Sequence, residues 1–279
     1  MTQPDAWMAG ASRSFAPPSE LRPEIPHPAR IYNYWLGGKD NFAADREAAE
    51  AMLGLGESVR TAARANRAVL QRAVRLLAGQ GISQFLDIGT GIPAAGNTHE
   101  IAQSVNPAAR VVYVDNDPIV LAHARALMSG AGHGETRVLQ ADLRDTDAIL
   151  GSEEVQRLID FGQPVALLLV AVLHFVPDQD DPHAVVARLV DALPPGSHLV
   201  LTHGCSDQLT ETENKEAASV YSRASAGLSL RPQAAVARFF DGLELLPPGL
   251  VQAPLWRPDT EPPEGSDRLG IVAGVARKR

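Results

Sequence analysis

Apolar positions along the chain follow two alternating rhythms. Short apolar-rich runs at 84–88, 110–115, 136–142, 164–176 and 197–203 read as strands, the fourth buried on both faces. Between them lie stretches with helical spacing or helix-boundary signals. The first is long, over residues 57–78, with Val59, Ala62, Ala63, Leu70, Ala73, Val74 and Leu77 on one face and Asn66 as a polar interruption. Asn97 with Glu100 forms a capping-box signature for a helix to 105, and Asp117-Pro118 opens another to 128. Asp181-Pro182 starts a helix ending near 193, and 211–224 and 232–240 also read as helical. Residues 243–252 and 269–276 are expected to be the last two strands, joined by a proline-rich loop with Trp256, the final strand running antiparallel. This alternation predicts an α/β fold: a seven-stranded, mostly parallel sheet with helices on both faces. Residues 1–20 have no periodicity and are expected to be a loose tail, 21–82 a helical cap segment, and 83–279 the sheet domain.

The strand ends carry the chemistry. The run QFLDIGTGIP at 84–93 takes an apolar strand to Asp87 and breaks into Gly89-Thr90-Gly91, where backbone comes close to a ligand. Gly89, Gly91 and Ala94 match the dinucleotide fingerprint on paper, which leaves a nicotinamide cofactor open. S-adenosylmethionine is the competing cofactor, and an acid two residues before the first glycine favours it. A carboxylate repels a pyrophosphate but suits an ammonium and a sulfonium. The second strand ends at Asp115, placed for ribose hydroxyls, with Asp117 as a helix N-cap. The third ends at Asp142. Three successive strands tipped by aspartate support S-adenosylmethionine better than the glycines alone. His174 and His203, past the fourth strand and at the tip of the fifth, are the candidate general bases.

Bulk properties narrow the partners. A formal charge of -8 opposes nucleic acid as the main partner. The single cysteine, Cys205, rules out an internal disulfide or a cysteine zinc cluster and suits a reducing cytoplasm. No metal is expected. No apolar run approaches the ~18 residues of a membrane span.

The most distinctive stretch is RIYNYWLGGKDNFAADR at 30–46. Together with FLDIGTGIP it closely resembles a bacterial family of S-adenosylmethionine-dependent methyltransferases once known only as a domain of unknown function. The likeness runs from about residue 28 to the C-terminus, and Pro93 replaces the third glycine of the general motif. The resemblance implies a class I Rossmann-like fold with an N-terminal helical cap and conversion of S-adenosylmethionine to S-adenosylhomocysteine; it names no substrate, and a small-molecule acceptor is expected. It places Asp87, Gly89, Thr90, Gly91, Asp115, Asn116, Asp142 and Leu143 at the cofactor, Asp142 receiving the adenine amino group. Residues 30–46 are expected to fold over the methionine end as a lid. Asn41 and Arg46 would grip its carboxylate, while Tyr32, Tyr34 and Trp35 line the substrate pocket. A non-catalytic cofactor-binding regulator on the same fold is the alternative.

Overall fold

The computed structural model describes residues 22–56, 58–128 and 135–279. The expected tail and Glu57, the expected start of the long helix, lie outside the described residues.

Helices α1 (Pro28–Trp35) and α2 (Ala43–Leu55) form the first layer. Their connection explains the odd sequence between them. Asn33 Oδ1 accepts hydrogen bonds from the Asp40 backbone (3.1 Å) and from Asn41 Nδ2 (2.9 Å). Chain and side chain approach so closely that a Cβ at Gly38 would lie 2.2 Å from Asn33 Nδ2, so only glycine fits. Buried Asp45 ties both ends, accepting from the backbone of His27 and of Phe42, each at 2.8 Å.

Helix α3 (Ser58–Gly79) leads to β1 (Gln84–Ile88). Next come α4 (Thr98–Val105), β2 (Arg110–Asp115), α5 (Pro118–Met128) and β3 (Thr136–Gln140). Helices α6 (Thr146–Gly151) and α7 (Glu153–Leu158) precede β4 (Ala166–Val170), and α8 (Pro182–Asp191) precedes β5 (His198–Gly204). The chain finishes with α9 (Glu211–Tyr221), α10 (Gln233–Ala237), β6 (Glu244–Leu245), β7 (Val251–Gln252) and β8 (Ile271–Arg277).

The sheet runs β3-β2-β1-β4-β5-β8-β6, with β7 also paired to β8. Strands β1 to β5 are parallel, and β8 is antiparallel to β5, as the hairpin reading anticipated. The sheet has eight strands instead of seven. The segment expected as one strand over 243–252 is divided, because Pro247 and Pro248 offer no N–H to the ladder. The fourth strand is also shorter than its apolar run. It stops at Val170, and Leu173–Phe175 forms a 3-10 turn that carries His174.

Alternation along the strands builds a core on each face. Leu86, Ile88, Val112, Leu167 and Leu169 pack with α6, α7 and α8 residues such as Ile149, Val155 and Val186. Phe85, Val111, Ala166 and Leu168 meet Val69, Ala73 and Leu77 of α3 on the other. A smaller core joins α1 and α2 to α3 and α9 through Ile31, Trp35, Ala49, Met52, Ala63, Ala217 and Tyr221.

Asn66, the polar break in α3, links the two layers. Its Oδ1 accepts from Thr202 Oγ1 of β5 (2.5 Å), and its Nδ2 donates to the Tyr32 hydroxyl of α1 (2.9 Å). The Tyr32 hydroxyl in turn donates a hydrogen bond to the Ala63 carbonyl (2.8 Å). Replacing Asn66 by leucine strands the Thr202 hydroxyl, and an unmet buried polar group costs about 1–3 kcal/mol. Urea denaturation of Asn66→Leu is expected to show a loss of that size. An unchanged midpoint would mean the link between cap and sheet lies elsewhere.

Candidate active site

A cavity of about 500 Å³ opens at the carboxyl ends of β1, β2, β3 and β4, under the cap helices. Its floor is the loop after β1. The N–H groups of Gly89 (2.8 Å) and Thr90 (3.3 Å) both reach the Val114 carbonyl, which folds the loop back over β2. Gly91 N–H donates to Asp115 Oδ2 (2.8 Å), and Asp117 N–H donates to Asp115 Oδ1 (2.9 Å). Each oxygen keeps a second acceptor site for a ligand hydroxyl. Asp87 accepts from Thr98 Oγ1 (2.6 Å) in a fully buried position.

Burial is the main influence on both acids. It pushes Asp87 and Asp115 up to about 6, against the downward pull of Thr98 on the first and of the Asp117 and Gly91 amides on the second. Asp142 differs. Arg144 donates to its Oδ1 through backbone and Nε (2.9 Å each) and to its Oδ2 through Nη2 (2.7 Å), holding it below the ordinary carboxylate range. The same guanidinium reaches Asp180 at 3.0 Å, closing that end of the cavity.

All eight residues expected at the cofactor along the strand tips line this one cavity: Asp87, Gly89, Thr90, Gly91, Asp115, Asn116, Asp142 and Leu143. Tyr32, Trp35 and His174 line it too. Four expected residues do not. Arg46 is exposed and donates to the carbonyl (2.9 Å) and Oδ1 (3.3 Å) of Asn41, while Asn41 is turned toward Asn33 and Gly38. The two therefore brace the α1–α2 turn. Tyr34 projects outward, donating to Glu50 beneath Arg60. His203 is fully buried: its Nδ1–H is bonded to the Gly204 carbonyl (2.7 Å), and its Nε2 accepts from Arg231 (3.0 Å). Burial pushes it down to about 4.

The cation that sequence reasoning missed is Arg67 of α3. Its Nη2 donates to the carbonyls of Ala94 (2.9 Å) and Gly96 (3.1 Å) and to Asn97 Oδ1 (2.9 Å), fixing the guanidinium to the end of the β1–α4 connection while the residue lines the cavity. Its Nε is buried without a partner among the described residues. The helical pattern held a faint signal, since Asn66-Arg67 falls mid-helix one turn from core residues Ala63 and Leu70.

These residues fit S-adenosylmethionine: acids for its ammonium and ribose, a cation for its carboxylate, and open space above Gly91. Strand order and site together define a class I methyltransferase. The chain belongs to the S-adenosyl methyltransferase family, whose profile matches residues 15–279. Its cofactor is S-adenosylmethionine, which sets the nicotinamide alternative aside. A structure of a DUF574 family protein from Streptomyces avermitilis is 44% identical, covering 92% of this chain and 98% of that one, with a TM-score of 0.87. A Thermobifida fusca protein described as a methyltransferase candidate is 43% identical over 95% of this chain and 100% of that one, with a TM-score of 0.85. A search of curated proteins finds no significant match.

The raised acids make a pH prediction. A carboxyl raised in the folded state adds stability below its unfolded value, about 4, and loses it as pH climbs through about 6. Unliganded protein is therefore expected to lose, through Asp87, on the order of 1–3 kcal/mol between pH 4 and 7. Asp87→Asn, which still accepts from Thr98, should lose less over that interval. Equal pH slopes in denaturant melts of the two proteins would contradict the assignment.

Proposed function

We propose that this methyltransferase acts on a small, mostly apolar acceptor enclosed between cap and sheet. One observation carries this: the cavity that holds the strand-tip acids also takes in a chamber of apolar side chains from the cap, α3, the turn after β4 and α9. Met52, Leu55, Val59, Phe175, Tyr221 and Leu228 line that part. A chamber of this size and lining suits a compact organic molecule better than a polymer. Among the described residues no helix is long and apolar enough to cross a membrane. The acidic balance further supports a partner other than nucleic acid, and the buried, reduced Cys205 supports a cytoplasmic setting.

S-adenosylmethionine supplies an electrophilic methyl group when bound. The protein supplies position and dryness. In this reading Asp115 holds the ribose, Asp87 lies beneath the ammonium, and Arg67 meets the carboxylate. The cap excludes water, because α1 and α2 cover the loop from above.

Incubating the protein with methyl-labelled cofactor and fractionated bacterial extract tests the acceptor class. Label is expected in the low-mass fraction, and label confined to RNA or protein would refute it. Arg67 has its own test. Arg67→Ala is expected to weaken S-adenosylhomocysteine binding about tenfold or more, the usual effect of losing a charged hydrogen bond. Binding of methylthioadenosine, which lacks the carboxylate, should change little, and Arg46→Ala should bind both normally. Equal losses for the two ligands in Arg67→Ala would reduce Arg67 to a brace for the loop.

A further inference from the structure

His174 stands where the cofactor loop meets the acceptor chamber, and the fold behind it fixes its ring. The chain leaves β4 through Ala171 at φ 56, a left-handed conformation unusual for alanine. Contacts from behind hold that turn. Ala171 N–H donates to Thr202 Oγ1 (2.8 Å), and Arg231 reaches the carbonyls of Leu173 (3.1 Å) and Val176 (2.8 Å) and the Asp178 carboxylate (2.6 Å). In front, Val172 presses on the glycine loop so tightly that a Cβ at Gly89 would lie 2.3 Å from Val172 Cγ2.

The ring's hydrogen is assigned by its partner. Gly204 N–H donates to His174 Nδ1 (3.2 Å), so the uncharged imidazole carries its own hydrogen on Nε2. The residue is 8% exposed and lines the cavity, and its Nε2 has no partner among the described residues. Tyr221 lies across Phe175 from it, and the Tyr221 hydroxyl also meets the cavity unpartnered. Both polar groups are thus available to whatever fills the chamber, whose lining also includes Ser58, Glu213 and Ser225.

We propose that His174 is a hydrogen-bond donor to the acceptor, its Nε2–H holding the charged oxygen of a phenolate or enolate. The proposal rests on the cofactor lying over the glycine loop. Burial, then His203 and Arg231 nearby, hold the imidazole well below its ordinary range, which opposes the proton uptake a general base needs. The acceptor enters the step already deprotonated. A lone pair of its oxygen, or of the conjugate carbon, forms the bond to the methyl carbon. The carbon–sulfur bond breaks with its pair left on sulfur, the opposite charges cancel, and no proton moves.

The test uses the full chain with sinefungin bound, an analogue that carries an amine cation near the sulfonium position and has no methyl to transfer, and 4-nitrophenol as probe, because its anion and neutral form absorb at different wavelengths. Nitrogen NMR at neutral pH is expected to show His174 protonated at Nε2 alone. Wild type should bind the probe as phenolate at a pH where the free phenol is mostly neutral. His174→Gln, which keeps an N–H, should retain this, while His174→Phe should lose about tenfold or more in affinity for the anion. A ring protonated at Nδ1 or at both nitrogens, a probe that fails to bind or stays neutral, or a phenylalanine variant matching wild type overturns the proposal. Calorimetry with S-adenosylhomocysteine alone separates the two readings. Equal binding by all three proteins confines any failure to His174, and no binding by wild type refutes the cofactor placement and the proposal with it.

Discussion

Two carboxylates kept from water at the ends of neighbouring parallel strands are the constraint the rest of the molecule answers. Asp87 and Asp115 are each almost fully buried, and burial disfavours their charged forms. The fold supplies only partial relief: one hydroxyl for Asp87 and two backbone amides for Asp115. A cavity that withholds full compensation from its acids is tuned for a ligand bringing positive charge and hydroxyls. The sulfonium cofactor has both, and the loop geometry follows from the need to bring it close. Gly89 packs on Val172, and Gly91 gives its N–H to Asp115, so one short loop touches both the carboxylate and the turn that carries His174.

The cap is built to cover this cavity and stay in place. Most of its polar residues are used on itself. Asp45 receives the backbone of both neighbouring turns, Asn33 receives Asp40 and Asn41, and Arg30 lies 3.5 Å from both Asp45 and Asp117. The last contact reaches past the cap to Asp117, two residues beyond β2, and the Tyr32–Asn66–Thr202 chain reaches β5. The cap is thus joined to the sheet by one buried ion pair and one chain of hydrogen bonds, whose partners are out of water, where unpaired groups are costly. Its apolar faces are then free to form the chamber wall.

The strand tips were legible because the signal was redundant: three apolar runs, each followed by an aspartate, can be arranged in few ways. The antiparallel last strand followed from the long terminal hairpin, the way methyltransferase sheets finish. The cap was only half legible. Aromatic density and paired glycines at 32–38 marked a special structure, but residue type could not say which groups turn inward. Arg46 looked suitable for a carboxylate by proximity along the chain, whereas Arg67 reaches the loop from a different helix, a relation that α3 packing alone creates. His174 and His203 look equivalent in sequence, both following apolar strands. They differ because Arg231, 28 residues beyond His203, closes over one ring and leaves the other facing the cavity. The divided sixth strand was foreseeable, since Pro247-Pro248 removes two donors from the run, yet the apolar pattern on either side masked the break.

Arg231 also explains why the site relies on placement and charge more than on proton exchange. A guanidinium packed behind two uncharged imidazoles, with the protein excluding water, makes a second positive charge there unfavourable. Such a histidine gives a hydrogen bond readily and takes up a proton poorly. The nucleophile must then arrive anionic, and an anion stripped of water in an apolar chamber is stable only beside a compensating charge. That charge is present only once the cofactor occupies the loop. Dry chamber, uncharged donor and unsatisfied acids therefore share one logic: each of the cavity's electrostatic deficits is met by a ligand. The strained backbone at Ala171 persists because Thr202 and Arg231 hold the turn against the loop where those ligands meet.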